Sequence, residues 1–330
     1  MSPFVQQAAL LFSAAYLALS VAIGLGLEHP FWAAMPVWVV SQSFREDLLS
    51  RAGFRVLGTL LGAGLGVAIL GLGGVALPAV ALGVVVGLSA AAAFALAPFG
   101  YGAMLTGITA SVIVVPCLVF GVPAGELALD RVWCTLVGVA SVTLVTLPLT
   151  PTRGAPTPRP ASPHRKRELT FRAALAAVLT GAGTYAAATL GGYVALSGAM
   201  SLTIFSTILA SLRDPTPVLK YLPGGAGIGV LAAVAYRAIL SMTSGGMGPH
   251  LIVGGSFLAA GALLRAHPRT KPLGLDANMC FLISAEVGAE GHAAVDVLLG
   301  GALLVSLAFV QVRAWPWGRR SRRGRTAGAV

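Results

Sequence analysis

The chain has 330 residues, of which 56% are hydrophobic and only 10% charged, and its net charge is +11. A soluble domain of this size needs roughly 25% charged residues to face water, so composition excludes one, and a mean hydropathy of +0.86 places most of the chain in lipid. The positive excess falls in short segments between apolar spans, where it sets membrane orientation and makes a nucleic-acid partner unnecessary.

Apolar runs approaching the ~20 residues that cross about 30 Å of hydrocarbon fall at 5–27, 30–44, 55–72, 75–97, 99–121 and 127–149. Residues Met1 to Gln7 contain no Lys or Arg, so the first run lacks the basic start of a signal peptide and is expected to be a membrane helix. A Pro- and Arg-rich linker follows at 151–168, and six further runs lie at 170–190, 192–211, 221–241, 247–265, 274–289 and 292–312. The expected fold is therefore all-α, a polytopic membrane protein of about twelve transmembrane helices. The expected organisation is a first six-helix repeat (1–150), a cytoplasmic linker (151–168), a second six-helix repeat (169–313) and a basic cytoplasmic tail (314–330). That tail, with two tryptophans beside the last span, suits anionic lipid headgroups.

With the N-terminus in the cytoplasm, every Lys and Arg except Arg131 and Arg237 falls in an inner loop, at the helix ends beside one, or in the tail. Glu28, Glu126 and Glu290 fall outside. That is the charge bias expected of both termini being cytoplasmic. Sliding the chain by 165 residues sets Arg55-Val56-Leu57 against Lys220-Tyr221-Leu222 and Gly62 against Gly227. Six helices per half make this a parallel repeat about an axis along the membrane normal.

Chemistry is expected where polar groups interrupt the spans. Pro36 kinks the short second span, and interrupted segments mark transporter binding sites, so Trp32, Trp38, Ser41 and Gln42 are candidate substrate contacts. The bland alternative is a bent helix with interfacial tryptophans. A charge in the hydrocarbon costs at least about 2.5–3.5 kcal/mol and usually has a partner or a task. Arg131 is expected to attract an anion, with Asp296, its equivalent at the 165-residue offset, competing for it or taking up a proton. Snorkelling to the outer interface is the competing account. Arg237 and Glu286 lie at similar depth, as a structural ion pair or as a binding and proton-carrying couple. Gly58, Gly62 and Gly66 have helix-packing spacing, and Arg55 beside them is read as an anchor or a cytoplasmic anion gate. Cys117, Cys134 and Cys280 are scattered within apolar runs and give no metal-ligand spacing. The histidines likewise suggest no site beyond the chance that His29, His250 and His292 meet outside. No metal, cofactor or enzyme activity is expected, because no nucleotide-binding or nucleophile motif occurs.

The run from Pro30 through Phe-Trp-Ala-Ala-Met-Pro-Val-Trp-Val-Val to Ser41-Gln42-Ser43, and that from Phe54-Arg-Val-Leu-Gly-Thr to Gly66, resemble the fusaric acid resistance (FUSC) family of the aromatic acid exporter superfamily. Asp130-Arg131 with Gly138, and Tyr101 with Thr109, resemble that family's sixth and fifth spans. The short linker departs from the sizeable soluble domain that many members carry between the halves. The resemblance implies export or passage of small organic, often aromatic, anions. Efflux across a bacterial cytoplasmic (inner) membrane, driven by protons through an intramembrane carboxylate, is the expected function. A passive anion channel and a non-transporting scaffold for envelope assembly are the alternatives. The partners it implies are the organic anion and the lipids; a homo-oligomer or an accessory efflux subunit stays open.

Overall fold

The computed structural model describes residues 3–96, 99–153, 166–243 and 246–315. Among them are twelve α-helices, one 3-10 turn (Leu147–Leu149) and no strand. The helices are α1 (Pro3–Gly24), α2 (Phe31–Val40), α3 (Arg45–Leu70), α4 (Ala76–Ala95), α5 (Gly100–Phe120) and α6 (Ala124–Thr146), then α7 (Lys166–Leu190), α8 (Gly192–Ser211), α9 (Thr216–Ser241), α10 (Met247–Ala266), α11 (Lys271–Ala285) and α12 (Ala294–Ala314). Residues 154–165 of the expected linker and 316–330 of the expected tail lie outside the described residues.

Ten of these helices are long and apolar enough to cross a membrane. The other two are α2, with 10 residues, and α11, with 15, or about 15 and 22 Å at 1.5 Å per residue. Pro30 precedes α2 and Pro36 lies inside it, each without an N–H to extend a helix. The span expected at 274–289 stops at Ala285 because Glu286 turns left-handed (φ 47) and Gly288 and Gly291 follow with positive φ. These two short helices pack against each other. Irregular backbone at such depth is tolerated where protein buries it or where it lines a wet cavity.

Polarity runs opposite to that of a soluble bundle. On α3, Leu57 and Leu61 are 55% and 62% exposed, whereas Arg55 and Thr59 on the other face are buried. Asp130, Arg131 and Thr135 of α6 are also buried, while Leu129 and Trp133 face outward. Apolar side chains therefore face lipid and polar ones face protein.

Close helix contacts explain the glycine pattern. A Cβ on Gly58 would stand 2.6 Å from the Gly102 carbonyl oxygen of α5, and one on Gly62 2.6 Å from that of Thr106. Gly66 faces Ile113 at 3.2 Å. Gly138 lets α6 lie against Ala33 and Pro36 of α2, where a Cβ would run into the Ala33 carbonyl oxygen. In the second half Gly225 and Gly229 bring α9 onto α11, whereas Gly227, the residue aligned with Gly62 by the ungapped offset, faces open space. Partner choice recurs along the chain: α3 on α5 and α9 on α11, α3 on α6 and α9 on α12, α2 on α6 and α8 on α12. Between the halves, α4 packs on α7 and α10 on α1, and α5 on α8 and α11 on α2.

Candidate functional site: a buried arginine seam

The Arg45 N–H donates to the Pro151 carbonyl at 3.0 Å and Arg153 pairs with Asp47, so the start of α3 meets the end of the α6 segment and the two helices are antiparallel. Along their seam the Thr59 and Thr135 hydroxyls lie 3.5 Å apart. One turn from Thr59 is Arg55, and one turn from Thr135 is Arg131; both arginines are only 3% exposed. Each lies within the field of the other.

Neither guanidinium has a carboxylate at ion-pairing distance among the described residues. The Nε atoms of both are buried without a hydrogen-bond partner. Arg131 is held instead by the Trp32 ring, 4.8 Å from its centroid, and by the Met35 Sδ, to which Nη1 donates at 3.8 Å. A thioether is a weak acceptor and an aromatic face a modest cation partner, so much of the donor capacity remains unused. Asp130 turns away from Arg131: its carboxylate lies 2.9 Å from His29 Nδ1 and accepts the Glu28 N–H at 3.0 Å. His29 stacks on Trp32 with centroids 4.5 Å apart. The end of the seam nearer the start of α6 is thus Asp130, His29, Trp32 and Arg131 in succession. A buried, acceptor-poor pair of cations can bind an anion by charge and by N–H donation.

Arg237 and Glu286 form a separate unit. They pair at 3.6 Å, and Arg237 also donates to the carbonyls of Glu286 at 3.1 Å, Ala289 at 3.4 Å and Glu290 at 2.7 Å. Glu286 accepts from the His292 N–H at 3.0 Å and lies 2.9 Å from its Nδ1. The pair therefore fastens the α11–α12 connection: Arg237 Nε is buried without a partner, as in the seam, but both Nη atoms are taken by these carbonyls and by the Glu286 carboxylate.

Asp296 is not brought to Arg131. It stands third in α12, as Glu126 stands third in α6, so aligning the helix starts sets it against Glu126. Both carboxylates then complement a helix N-terminus. Trp32 lies at the first turn of α2, whereas Ser41 and Gln42 follow its last turn, so these candidates belong to opposite ends of the helix. The Gln42 amide nitrogen donates to the Val39 and Ser41 carbonyls at 3.1 and 2.8 Å. The three outer histidines also stay apart: His29 joins Asp130, His292 joins Glu286 and His250 lies 2.9 Å from the Tyr236 hydroxyl. No group of three metal-ligating side chains occurs among the described residues.

Residues 5–196 match the Fusaric acid resistance protein family, more than half of the 330 residues. The chain belongs to this family. No curated protein and no solved structure matches it. The FUSC segment contains the whole seam, whereas Arg237, Glu286 and Asp296 lie beyond it. FUSC membership and the polytopic helical fold together support a transporter-type role in a membrane.

The full seam was only partly visible in the sequence. Arg55 lies ten residues inside α3 because that helix begins at Arg45, ahead of the apolar run whose start placed Arg55 at the interface. The polar residues Arg45, Glu46, Asp47, Ser50 and Arg51 concealed those first turns from a hydropathy reading. The i, i+4 spacing of Arg55 to Thr59 and of Arg131 to Thr135 was the signal available.

Proposed function

We propose that this FUSC protein exports small organic anions, aromatic carboxylates in particular, from the cytoplasm across a bacterial inner membrane, with uptake of protons as the driving flux. The observation that carries this reading is the Arg55–Thr59–Thr135–Arg131 seam, where two buried cations have no carboxylate at ion-pairing distance among the described residues. Charges so placed mark ion pathways in membrane proteins. The recurrence of helix partners six helices apart supports two parallel repeats with a linker between them, and the placement of Lys and Arg supports cytoplasmic termini. Asp130 with His29 and Glu286 with His292, each 2.9 Å apart, are the carboxylate–imidazole pairs best situated to exchange a proton beside a buried arginine.

A passive anion channel is the second reading. It is favoured by the engagement of Glu286, which already holds Arg237 and His292 and would have to release them to carry a proton. Uptake of radiolabelled aromatic carboxylates into inverted vesicles, with and without a proton gradient, separates the two. Gradient-dependent uptake is expected; uptake that follows voltage alone supports the channel. No uptake across the panel returns the non-transporting scaffold to first place.

A further inference from the structure

The two halves are joined differently at the two ends of the bundle. At the basic end hydrogen bonds cross between them. Arg265 of α10 donates Nε and Nη2 to the Trp38 carbonyl of α2 at 3.4 and 3.2 Å, and Arg213, shortly after α8, donates to the Phe94 carbonyl of α4 at 3.2 Å. At the opposite end, where α2 and α8 begin and α5 and α11 finish, the halves touch through carbon and ring surfaces. A Cβ on Gly288, in the α11–α12 connection, would lie 2.8 Å from Pro30 Cγ and 3.0 Å from Ile23 Cδ1. The Phe120 and His292 rings have centroids 6.0 Å apart. Among the described residues no hydrogen bond or ion pair joins the halves at this end.

Each side of this contact is pinned within its own half. Arg237 holds the carbonyls of Glu286, Ala289 and Glu290 and so fixes the left-handed turn at Glu286, a conformation that persists only where its surroundings over-determine it. His292 is tied to Glu286 and packs on Tyr193 of α8 with ring centroids 4.1 Å apart. In the first half, Asp130 holds the Glu28 N–H and His29, and Cys134 Sγ donates to the His29 carbonyl at 3.4 Å. Polar bonds therefore lie inside each half, and apolar contact lies between them. Such contact has no directional bonds and parts without leaving a buried donor or acceptor unpaired. Separation at the basic end would strip the Trp38 and Phe94 carbonyls of charged donors, a larger cost.

We propose that residues 286–292 form a strap that gates the end of the bundle away from the basic loops. The gate is closed in this structure and opens by parting the strap from Pro30, Ile23 and Phe120, while the arginine bonds at the basic end act as the hinge. Rocking of one repeat against the other is the usual motion of two-repeat transporters, and the uneven bonding sets which end gives way. The short helix α2 links the gate to the seam: Pro30 at its start meets the strap, and Trp32 and Met35 hold Arg131. Withdrawal of the strap uncovers the start of α2, within a turn or two of those residues. The gate rests on the transport reading for its purpose, release of the anion, but its mechanics do not.

The test is the rate of maleimide alkylation of reporter cysteines in the full-length protein in lipid nanodiscs, where both faces meet the reagent. Pro30→Cys and Ile23→Cys place reporters against Gly288, and either serves where the other does not fold. Each is expected to react more slowly than Cys at the exposed Glu126 position. Phe120→Ala deletes the ring contact with His292 and is expected to speed both reporters about fivefold, the worth of one aromatic pair. Arg265→Gln, at the basic end, is expected to leave them unchanged. Reporters as reactive as Glu126→Cys, indifference of both to Phe120→Ala, or equal acceleration by Arg265→Gln overturns the gate. Indifferent reporters alongside carboxylate uptake by vesicles overturn the gate and leave the transport reading standing. Acceleration by Phe120→Ala in a protein whose vesicles take up no carboxylate supports the gate and counts against the transport reading.

Discussion

Thr59 of α3 and Thr135 of α6 meet with their hydroxyl oxygens 3.5 Å apart, and each stands one helical turn from a buried arginine that has no carboxylate at ion-pairing distance among the described residues. The two residues fix the axial register of antiparallel helices, so Arg55 and Arg131 lie on opposite sides of the threonine contact.

Replacing either arginine by Gln removes a charge but preserves most of the side-chain volume. Each of Arg55→Gln and Arg131→Gln is expected to lower the initial rate of organic-anion uptake at least tenfold, consistent with about 1.5–3 kcal/mol for a hydrogen bond to a charged group. Membrane insertion and melting temperature should hold or improve, because an unpaired buried cation is itself costly. Unchanged uptake by both variants would remove the seam from the pathway.

Helix contact through glycine gives a prediction with its own internal control. A methyl group at Gly62 would stand 2.6 Å from the Thr106 carbonyl oxygen and 2.7 Å from the Thr109 Cβ, whereas one at Gly64 meets nothing within 4 Å. Gly62→Ala is expected to destabilise by about 1–3 kcal/mol, the usual cost of overpacking. Gly64→Ala is expected to be neutral or to stabilise by up to about 1 kcal/mol through helix propensity. Thermal melting of the two variants in the same detergent checks both signs.

Those two glycines also show how far the sequence could be read. Spacing identified Gly58, Gly62 and Gly66 as a contact stripe, and hydropathy found the long helices, because lipid leaves a periodic apolar record. The ungapped offset that aligned Gly62 with Gly227 could not register the real contacts at Gly225 and Gly229, since loops of unequal length shift each helix separately. The same shift set Asp296 against Arg131 when its position in α12 corresponds to that of Glu126. Charge proximity such as His29 to Asp130 across 101 residues leaves no local pattern at all. Arg237 with Glu286 was legible by depth alone, because two isolated opposite charges in apolar runs have few other partners.

That pair predicts unequal consequences for its members. Arg237→Ala deprives three carbonyls and the Glu286 carboxylate of their donor at once. It is expected to cost about 3–5 kcal/mol, as for a buried pair broken from one side. Glu286→Gln leaves Arg237 bound to the same carbonyls and is expected to cost about 1–2 kcal/mol. Equal losses of melting temperature in the two variants would mean that the ion pair, not the carbonyl contacts, holds the α11–α12 connection.

Orientation is tested last because the export direction depends on it. The native cysteines are buried at 8%, 0% and 5% exposure for Cys117, Cys134 and Cys280, so background labelling by a membrane-impermeant maleimide is expected to be low. Ser50 lies exposed at the basic end of α3 and Glu126 exposed at the start of α6, on opposite sides of the bundle. The excess of Lys and Arg around Ser50 predicts a cytoplasmic position for that end. Glu126→Cys should therefore label in intact spheroplasts, and Ser50→Cys only in inverted vesicles. The reverse pattern would turn the Arg55 end of the seam toward the outside, and the same seam would then serve import.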